Sequence, residues 1–398
     1  MNTKSRIEKL DNQGRGITYF ENKITFVENA LEGERVSLVN LKRTKKYNEA
    51  EAENIEELNP NRVLPKCPYY KICGGCNLQH INYDYQSDYK LKKLKDIMMK
   101  YAGIDQFIRI VKNDKELFYR NKITLKIEDN KWGYYNKNTH TFCEIENCLL
   151  AKPPINEIIN KKQFINVNNG SIVIRTNYKN EILLSITTDR EYNIDYSKLP
   201  ENVVGIVVNN ETVYKDNFFY DEIGQLKFKI SYDAFFQVNN FIASNIFILL
   251  QSNLKGKKLL DLYCGVGTLG QSLKDNFDDI YGIEINENAI INAKENAKMN
   301  GIKNSYYYAG DTYKILKDIN VDFDTVIVDP PRSGLNSNTI ELLLNIKPEK
   351  IAYISCDPMT LARDLKILKE HYDIVKLNGL DMFPNTFHIE CVCVLKLR

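Results

Sequence analysis

The sequence predicts an α/β protein. Its C-terminal part is a doubly wound, Rossmann-like domain, preceded by an N-terminal OB-like β-barrel and a central, mostly antiparallel β domain. Three observations carry this prediction. From about residue 235, strand-like and helix-like runs alternate, as in a parallel sheet with crossover helices. From about residue 117 to 230, apolar and polar residues alternate repeatedly, the pattern of a sheet with one solvated face. The first 58 residues break into short β-compatible segments separated by Gly and Asn. The expected boundaries are 1–58, 59–234 and 235–398, with residues of about 79–111 as candidates to pack on the last domain.

Taken in order, GRGITYF, KITFVENA, GERVSLVNL and the run to Ala52 are the strands of the first domain. LKRTKKY, with Lys42, Arg43, Lys45 and Lys46, is a solvated hairpin tip or a phosphate contact. KCPYYKICGGCNLQH follows, then a lysine-rich helical stretch, YQSDYKLKKLKDIMMKYAG. FYRNKITLKIE, SIVIRTN and EILLSITT supply the alternating central strands. In the last domain, KKLLDLYCG is a buried strand and DIYGIEI a second, and ENAIINAKENAKMNG is a helix ending at a glycine. SYYYAGD, DTVIVDPP and KIAYISCDP are further strands, each followed by a helix or turn.

The chain has 398 residues, room for two or three domains, with no internal repeat and no low-complexity tract. No stretch is long enough to span a membrane, and MNTKSRIEKLDNQGRG lacks the apolar core of a signal peptide, so a cytoplasmic protein is expected. Nine cysteines, scattered singly or in one cluster, read in a reducing compartment as ligands, nucleophiles or core residues. The net charge of +2 neither demands nor excludes a nucleic-acid partner.

Gly265-Val-Gly267-Thr-Leu-Gly270 closes a strand and opens a helix. Glu284 ends the next strand, placed to accept hydrogen bonds from two ribose hydroxyls. The glycine pattern alone serves NAD, or a tight turn with no ligand. Two features favour S-adenosylmethionine (SAM). Asp261-Leu-Tyr-Cys puts an acid and an aromatic beside the glycines, which suits a cationic amino-acid tail. Asp329-Pro-Pro-Arg332 holds Asp329 at a strand's carboxyl end, facing the crevice, because the prolines keep the chain extended. Asp311, after another strand, is an acceptor for an adenine amino group or a helix-capping aspartate. Cys356 follows the next strand and is set apart from a core cysteine by the Asp-Pro turn directly after it. Glu390, beside His388 and just before the final strand, is a solvated edge or a general base.

FFQVN (235–239), DLYCGVGTLG (261–270), GIE (282–284), DPPR (329–332), SCDPMTLARD (355–364) and MFPNTFHIE (382–390) together resemble the RNA uracil-C5 methyltransferases. The resemblance runs over essentially the whole chain. It implies a SAM-dependent methyltransferase with Cys356 as nucleophile and Glu390 as base. Uracil C5 is too weak a nucleophile unaided, and thiolate addition at C6 makes it an enolate carbon. It further implies cofactor contacts from Gln237, Tyr263, Glu284 and Asp329. Thr268 departs from the asparagine often found at its position. The first 58 residues resemble a TRAM domain.

Cys67-x5-Cys73-Gly-Gly-Cys76 offers three thiolates on one loop, suited to zinc or an iron–sulfur cluster, with Cys143 or Cys148 as the distant fourth ligand. The resemblance implies a [4Fe-4S] cluster and Cys148. It also implies RNA as partner, in which the target uridine leaves its stack. Arg120, Lys122, the LKRTKKY loop and the KLKKLK helix face are candidate RNA contacts. The TRAM-like and cysteine segments resemble the 23S ribosomal RNA enzymes, acting as a monomer. The alternatives are a tRNA T-loop enzyme, a catalytically silent RNA binder and an NAD-dependent oxidoreductase.

Overall fold

The computed structural model describes residues 4–106, 108–136, 139–319 and 321–398. Two compact units emerge. The smaller is drawn from Met1–Lys93, Tyr134–Cys143 and Phe383–Phe387, the larger from Leu94–Gly133, Glu144–Met382 and His388–Arg398.

The smaller unit begins with six strands: β1 (Lys4–Arg6), β2 (Lys9–Leu10), β3 (Gly16–Phe20), β4 (Lys23–Glu28), β5 (Arg35–Arg43) and β6 (Asn48–Glu57). They form one sheet in the order β1-β5-β6-β4-β3-β2. Its apolar face, with Ile7, Val27, Val36 and Leu38, is buried. Below it, Glu34 is fully buried and holds Arg62 in a salt bridge. A single helical turn, α1 (Tyr70–Cys73), and the helix α2 (Tyr83–Ile97) follow. The lysines of α2 divide. Lys90 and Lys93 are buried and donate to the carbonyls of Phe383 and Phe387 at 3.0 and 2.9 Å, while Lys92 and Lys95 face solvent. The KLKKLK face is therefore only in part available to RNA, because two of its ammonium groups are used to hold the MFPNTF segment.

The larger unit opens with β7 (Arg109–Val111) and β8 (Lys122–Glu128), and β9 (Lys131–Tyr135) and β10 (Phe142–Glu144) are shared with the Tyr134–Cys143 segment of the smaller unit. It continues with α3 (Pro153–Asn160), β11 (Ile165–Val167), β12 (Asn169–Thr176), β13 (Ile182–Thr187) and β14 (Tyr192–Ile194). Next come β15 (Val203–Val208), β16 (Glu211–Lys215), β17 (Phe218–Ile223) and β18 (Leu226–Ser231). The central sheet has the order β10-β9-β8-β12-β13-β15-β16. From β9 to β16 it is antiparallel except for the parallel pair β13–β15. β17 and β18 form a separate hairpin.

The C-terminal part contains α4 (Asn240–Asn253), β19 (Lys258–Leu262), α5 (Thr268–Gln271), β20 (Asp279–Glu284), α6 (Glu287–Met299) and β21 (Ser305–Ala309). After these lie α7 (Thr312–Asp318), β22 (Thr325–Val328), α8 (Ser337–Ile346), β23 (Lys350–Ser355), α9 (Pro358–Leu368), β24 (Tyr372–Leu380) and β25 (Glu390–Leu397). They build an eight-stranded sheet, β21-β20-β19-β22-β23-β25-β24-β7, which is the Rossmann-like architecture of the prediction. β19 to β23 are parallel, and β22 and β23 are apolar runs because helices cover both faces. β25 runs antiparallel between β23 and β24, and β7 adds the eighth strand beside β24. No helix among the described residues is long and apolar enough to cross a membrane.

One buried carboxylate ties two strand-end loops together. Asp364 on α9 is fully buried and accepts from Tyr353 Oη at 2.6 Å and from the Leu335 N–H at 2.9 Å. Arg363 beside it donates to the Ser333 and Leu335 carbonyls at 3.0 Å each. Gly334 closes this turn at φ 75°, where a Cβ would lie 2.7 Å from Asp364 Oδ2. The loop that follows Asp329 is thus fastened to the helix that follows Cys356.

Replacing Asp364 by Ala leaves two buried donors without an acceptor, at a cost of roughly 2–5 kcal/mol. Urea unfolding should show a lower midpoint at unchanged slope. A midpoint within error of the wild type would refute the role given to Asp364.

Candidate active site

The register of the catalytic sheet decides which residues meet. β23 and β25 pair antiparallel from Lys350↔Lys396 to Ser355↔Cys391. The last pair brings the residues next to Cys356 and Glu390 together, and Glu390 acts electrostatically on the Cys356 thiol. The carboxyl end of β23 and the start of β25 therefore share one edge of the sheet. On the same edge, β19 ends before Tyr263, β20 ends at Glu284 and β22 ends before Asp329. This is the edge where open α/β sheets bind ligands.

Local chemistry presents each group. Asp357 caps α9 by accepting from the Met359 and Thr360 N–H groups at 2.8 and 3.3 Å, and Pro358 opens the helix. The turn so formed leaves Cys356 half-exposed, whereas Glu390 is buried. Burial pushes the Cys356 thiol up to about 11. Glu390, Asp329 and Asp357 push the same way, and Arg332 opposes them. Burial also raises Glu390 well above the usual carboxylate range, with Asp329 adding to it and Arg332 opposing. Asp329 is raised to about 7 by desolvation. Three acidic groups thus crowd one place, and Arg332 is the positive group that acts on two of them.

The FFQVN segment is held from several sides. Asn121 donates its side-chain N–H to Gln237 O at 3.0 Å and its backbone N–H to Val238 O at 3.0 Å. Buried Asn239 caps α4 through the Ile242 N–H and donates to Met382 O at 3.1 Å. These asparagines, Arg332 and Asp364 escaped notice in the sequence as positioning residues. Asn239, Arg332 and Asp364 stand within the quoted motifs, which is the signal that could have found them.

The residues around the glycine turn fit SAM. Gly267 has φ 84°, and a Cβ there would stand 2.5 Å from Gln271 Nε2. A Cβ on Gly265 would meet nothing nearer than Phe235 O at 3.9 Å, so the turn is open on that side. Tyr263 adopts φ 64°, a conformation stored mainly at functional sites, with its hydroxyl 3.2 Å from Thr339 Oγ1. Glu284 accepts from the Gly265 and Asn286 N–H groups at 3.2 and 3.0 Å, and each oxygen keeps a lone pair for a diol. Fully buried Asp261 accepts from the Gly270 N–H at 2.8 Å, while its Oδ1 has no hydrogen-bond partner. That orphan acceptor suits a cationic ligand. Gln237 is buried in the loop above, and Thr268 starts α5. Asp311 caps α7 through the Lys314 N–H at 3.1 Å and is exposed, so the capping alternative is realised.

Residues 82–398 match the family described as tRNA (uracil-5-)-methyltransferase. The chain belongs to the RNA uracil-5-methyltransferase family. An RNA methyltransferase of uncharacterised specificity from Aquifex aeolicus is 35% identical over 425 residues, covering 99% of this chain and 98% of the relative. One from Clostridium tetani is 32% identical, covering 98% and 95%. The crystal structure of Pyrococcus abyssi tRNA (uracil-54, C5)-methyltransferase in complex with S-adenosyl-L-homocysteine is similar with a TM-score of 0.83 and 29% identity. The similarity covers 98% of this chain and all of that one. This family member is a SAM-dependent RNA uracil-5-methyltransferase.

The cysteine segment lies apart from this site in sequence. Cys67 precedes α1, Cys73 is its last residue and Cys76 follows it; the turn ends at the left-handed Gly74, and all three thiols are half-exposed. The Cys67 N–H donates to Gln79 Oε1 at 3.2 Å. Tyr70 donates to Asn77 O and lies 2.6 Å from His80 Nδ1, which pins the loop at its centre. Cys143 is buried, and the Cys148 backbone is clamped in both directions by the Asn156 amide. The donors suit a soft metal or cluster in kind. Among the described residues, no group of three or more His, Cys, Asp or Glu is gathered to hold one.

With its pKa near 11, Cys356 at pH 8 should be thiolate in roughly a thousandth of molecules. Iodoacetamide labelling, read on the Cys356 peptide by mass spectrometry, should therefore be far slower than for an unfolded peptide. Arg332→Ala removes the positive neighbour that opposes the upward shift and should slow labelling further. Labelling at the unfolded-peptide rate in the wild type would refute this electrostatic picture.

Proposed function

We propose that the enzyme methylates C5 of a uridine in 23S ribosomal RNA, with Cys356 as nucleophile and Glu390 as general base. The observation that supports this reading is the β23–β25 register, whose last pair, Ser355↔Cys391, adjoins Cys356 and Glu390 at the carboxyl edge of the sheet. When bound, SAM supplies an electrophilic methyl group. Gln237, Tyr263, Glu284, Asp311 and Asp329 are proposed to hold it, Asp311 through the lone pairs left free by capping.

In this reading the Cys356 thiol loses its proton to solvent, its sulfur bonds to C6 of the uracil, and the C5=C6 electrons move to make C5 an enolate carbon. Once C5 carries the methyl group, the Glu390 carboxylate takes the C5 proton. The C5=C6 bond re-forms, the S–C6 bond breaks and the thiolate leaves. Glu390 must be ionised for this step. A cation arriving beside Asp329 and Glu390 lowers both raised pKa values, so cofactor binding itself favours the base form.

The choice of ribosomal RNA rests on the resemblance of the accessory parts to those of the 23S enzymes. Residues 1–58 are proposed as a TRAM-like domain of OB type, on the basis of the six-stranded sheet and its basic β5–β6 tip. At that tip Arg43 is paired with Glu21, while Lys45 and Lys46 remain exposed. Residues 59–234 and 235–398 are proposed as the central and catalytic domains. A second reading, methylation of a tRNA T-loop uridine, is favoured by the full-length similarity to the Pyrococcus tRNA enzyme. Mapping 5-methyluridine in both RNAs from a strain lacking the gene separates the two. Loss of the mark from tRNA alone would overturn the ribosomal assignment.

With 5-fluorouridine in the RNA, the C5 proton step is blocked, and protein and RNA should stay covalently joined through Cys356. Cys356→Ala should form no adduct; an adduct in that variant would remove Cys356 as nucleophile. Glu390→Gln should accumulate adduct with ordinary RNA, and free product at the normal rate would remove Glu390 as base.

A structural [4Fe-4S] cluster on Cys67, Cys73, Cys76 and Cys148 is also proposed. Its support is the three thiols on one short glycine-containing loop. Uracil methylation needs no electron, so the cluster would act by ordering the loop. Freshly purified protein should be brown with about four irons per chain. Cys148→Ser should lose the colour and Cys143→Ser keep it, with SAM binding preserved in both. The reverse pattern would reassign the fourth ligand, and a colourless protein with one zinc would exclude the cluster.

A further inference from the structure

Beneath the FFQVN segment the central sheet places like charges together. Lys122 on β8 and Arg175 on β12 are direct cross-strand partners, so their side chains leave the same face of the sheet. Like charges directly opposite each other destabilise a sheet. Arg120 precedes Lys122 by two positions, and burial, Arg175 and Arg120 together push the Lys122 ammonium down to about 8. Lys122 has no carboxylate within ion-pair distance among the described residues. Arg175 is buried, donates through Nη2 to Ala234 O at 2.5 Å, and keeps its Nε–H buried without an acceptor. Asp233 is the one acidic group that acts on Arg175.

The place matters as much as the charge. Arg175 grips Ala234, the residue just before the FFQVN segment, and Asn121, between Arg120 and Lys122, grips the segment at Gln237 and Val238. Phe235, between these anchors, is 64% exposed, a ring free to stack. A backbone-anchoring role explains one N–H of Arg175. It does not explain a second cation set opposite it.

We propose that Lys122 and Arg175 form a phosphate site that holds an RNA phosphodiester next to the uridine delivered to Cys356. The substrate's anion would satisfy the orphan Nε–H, neutralise the cross-strand repulsion and bring the adjoining base to Phe235. This rests on the uridine-methylating reading above and adds the point where the RNA backbone is gripped.

The test uses the full-length enzyme and a substrate RNA fragment. Lys122→Gln changes a half-buried residue and should weaken RNA binding about tenfold or more at low salt. It should also reduce the slope of log K against log salt by about 0.7 to 0.9. SAM affinity should not change. A single neutral methylphosphonate, walked along the strand, should weaken wild-type binding most at one position near the target uridine. At that position Lys122→Gln should lose little more, and Arg175→Lys should behave in the same way. An unchanged salt slope, or additive losses at every methylphosphonate position, would overturn the site. Wild-type enzyme that binds RNA but methylates no uridine would instead overturn the functional reading, so the two failures are distinct.

Discussion

The pairing of β25 with β23 is the constraint on which the site depends. A parallel final strand would carry its first residue to the far edge of the sheet. Because β25 runs antiparallel, its first residue, Glu390, comes to the edge where the parallel strands end. Register adds the rest, since a slip of one residue would turn Glu390 to the other face. The same pairing makes the apolar run after Glu390, Cys391 to Leu395, wholly buried, so the strand cannot slide without exposing its core side.

Around that edge, burial and charge work against ionisation. The thiol, Asp329 and Glu390 are all shifted toward their protonated forms by burial. Arg332 is the counterweight within the DPPR turn. That turn is not free to relax, since Asp364 and Arg363 hold it to α9 through Leu335 and Ser333. The resting site is therefore held in place, with its acidic groups biased toward protonation. In the proposed reaction a cationic methyl donor supplies the missing positive charge, which couples cofactor binding to the readiness of the base.

The loop above the glycine turn belongs to the same logic. FFQVN lies between β18 and α4, and hydrogen bonds from Asn121 to the segment and from Arg175 to the preceding Ala234 fasten it to the central sheet. A segment that carries buried Gln237 and exposed Phe235 is thus fixed by strands distant in sequence. In the smaller unit, Lys90 and Lys93 do similar work for Phe383 and Phe387. A lysine-rich helix that reads as an RNA surface spends two of its cations on carbonyls, since a carbonyl partner is what allows an ammonium group to be buried.

Much of this was legible in the chain itself. The alternation of strands and helices after residue 235 forecast the parallel sheet, and the motif endings placed Glu284, Asp329 and Cys356 at strand ends, because a motif's neighbours set its local conformation. The capping alternative for Asp311 was legible too, as an Asp before a helix is a local signal. What the sequence could not convey were pairings between distant segments. Nothing local tells that β25 inserts antiparallel, that β7 joins the last sheet, or that Arg175 stands opposite Lys122. Nor does a lysine's letter reveal whether its ammonium reaches water or a buried carbonyl. Local signals are short-range and additive along the chain. Register, burial and electrostatic crowding are decided only when the whole sheet closes, and there the tertiary structure brought a thiol, two carboxyls and one arginine to a single edge.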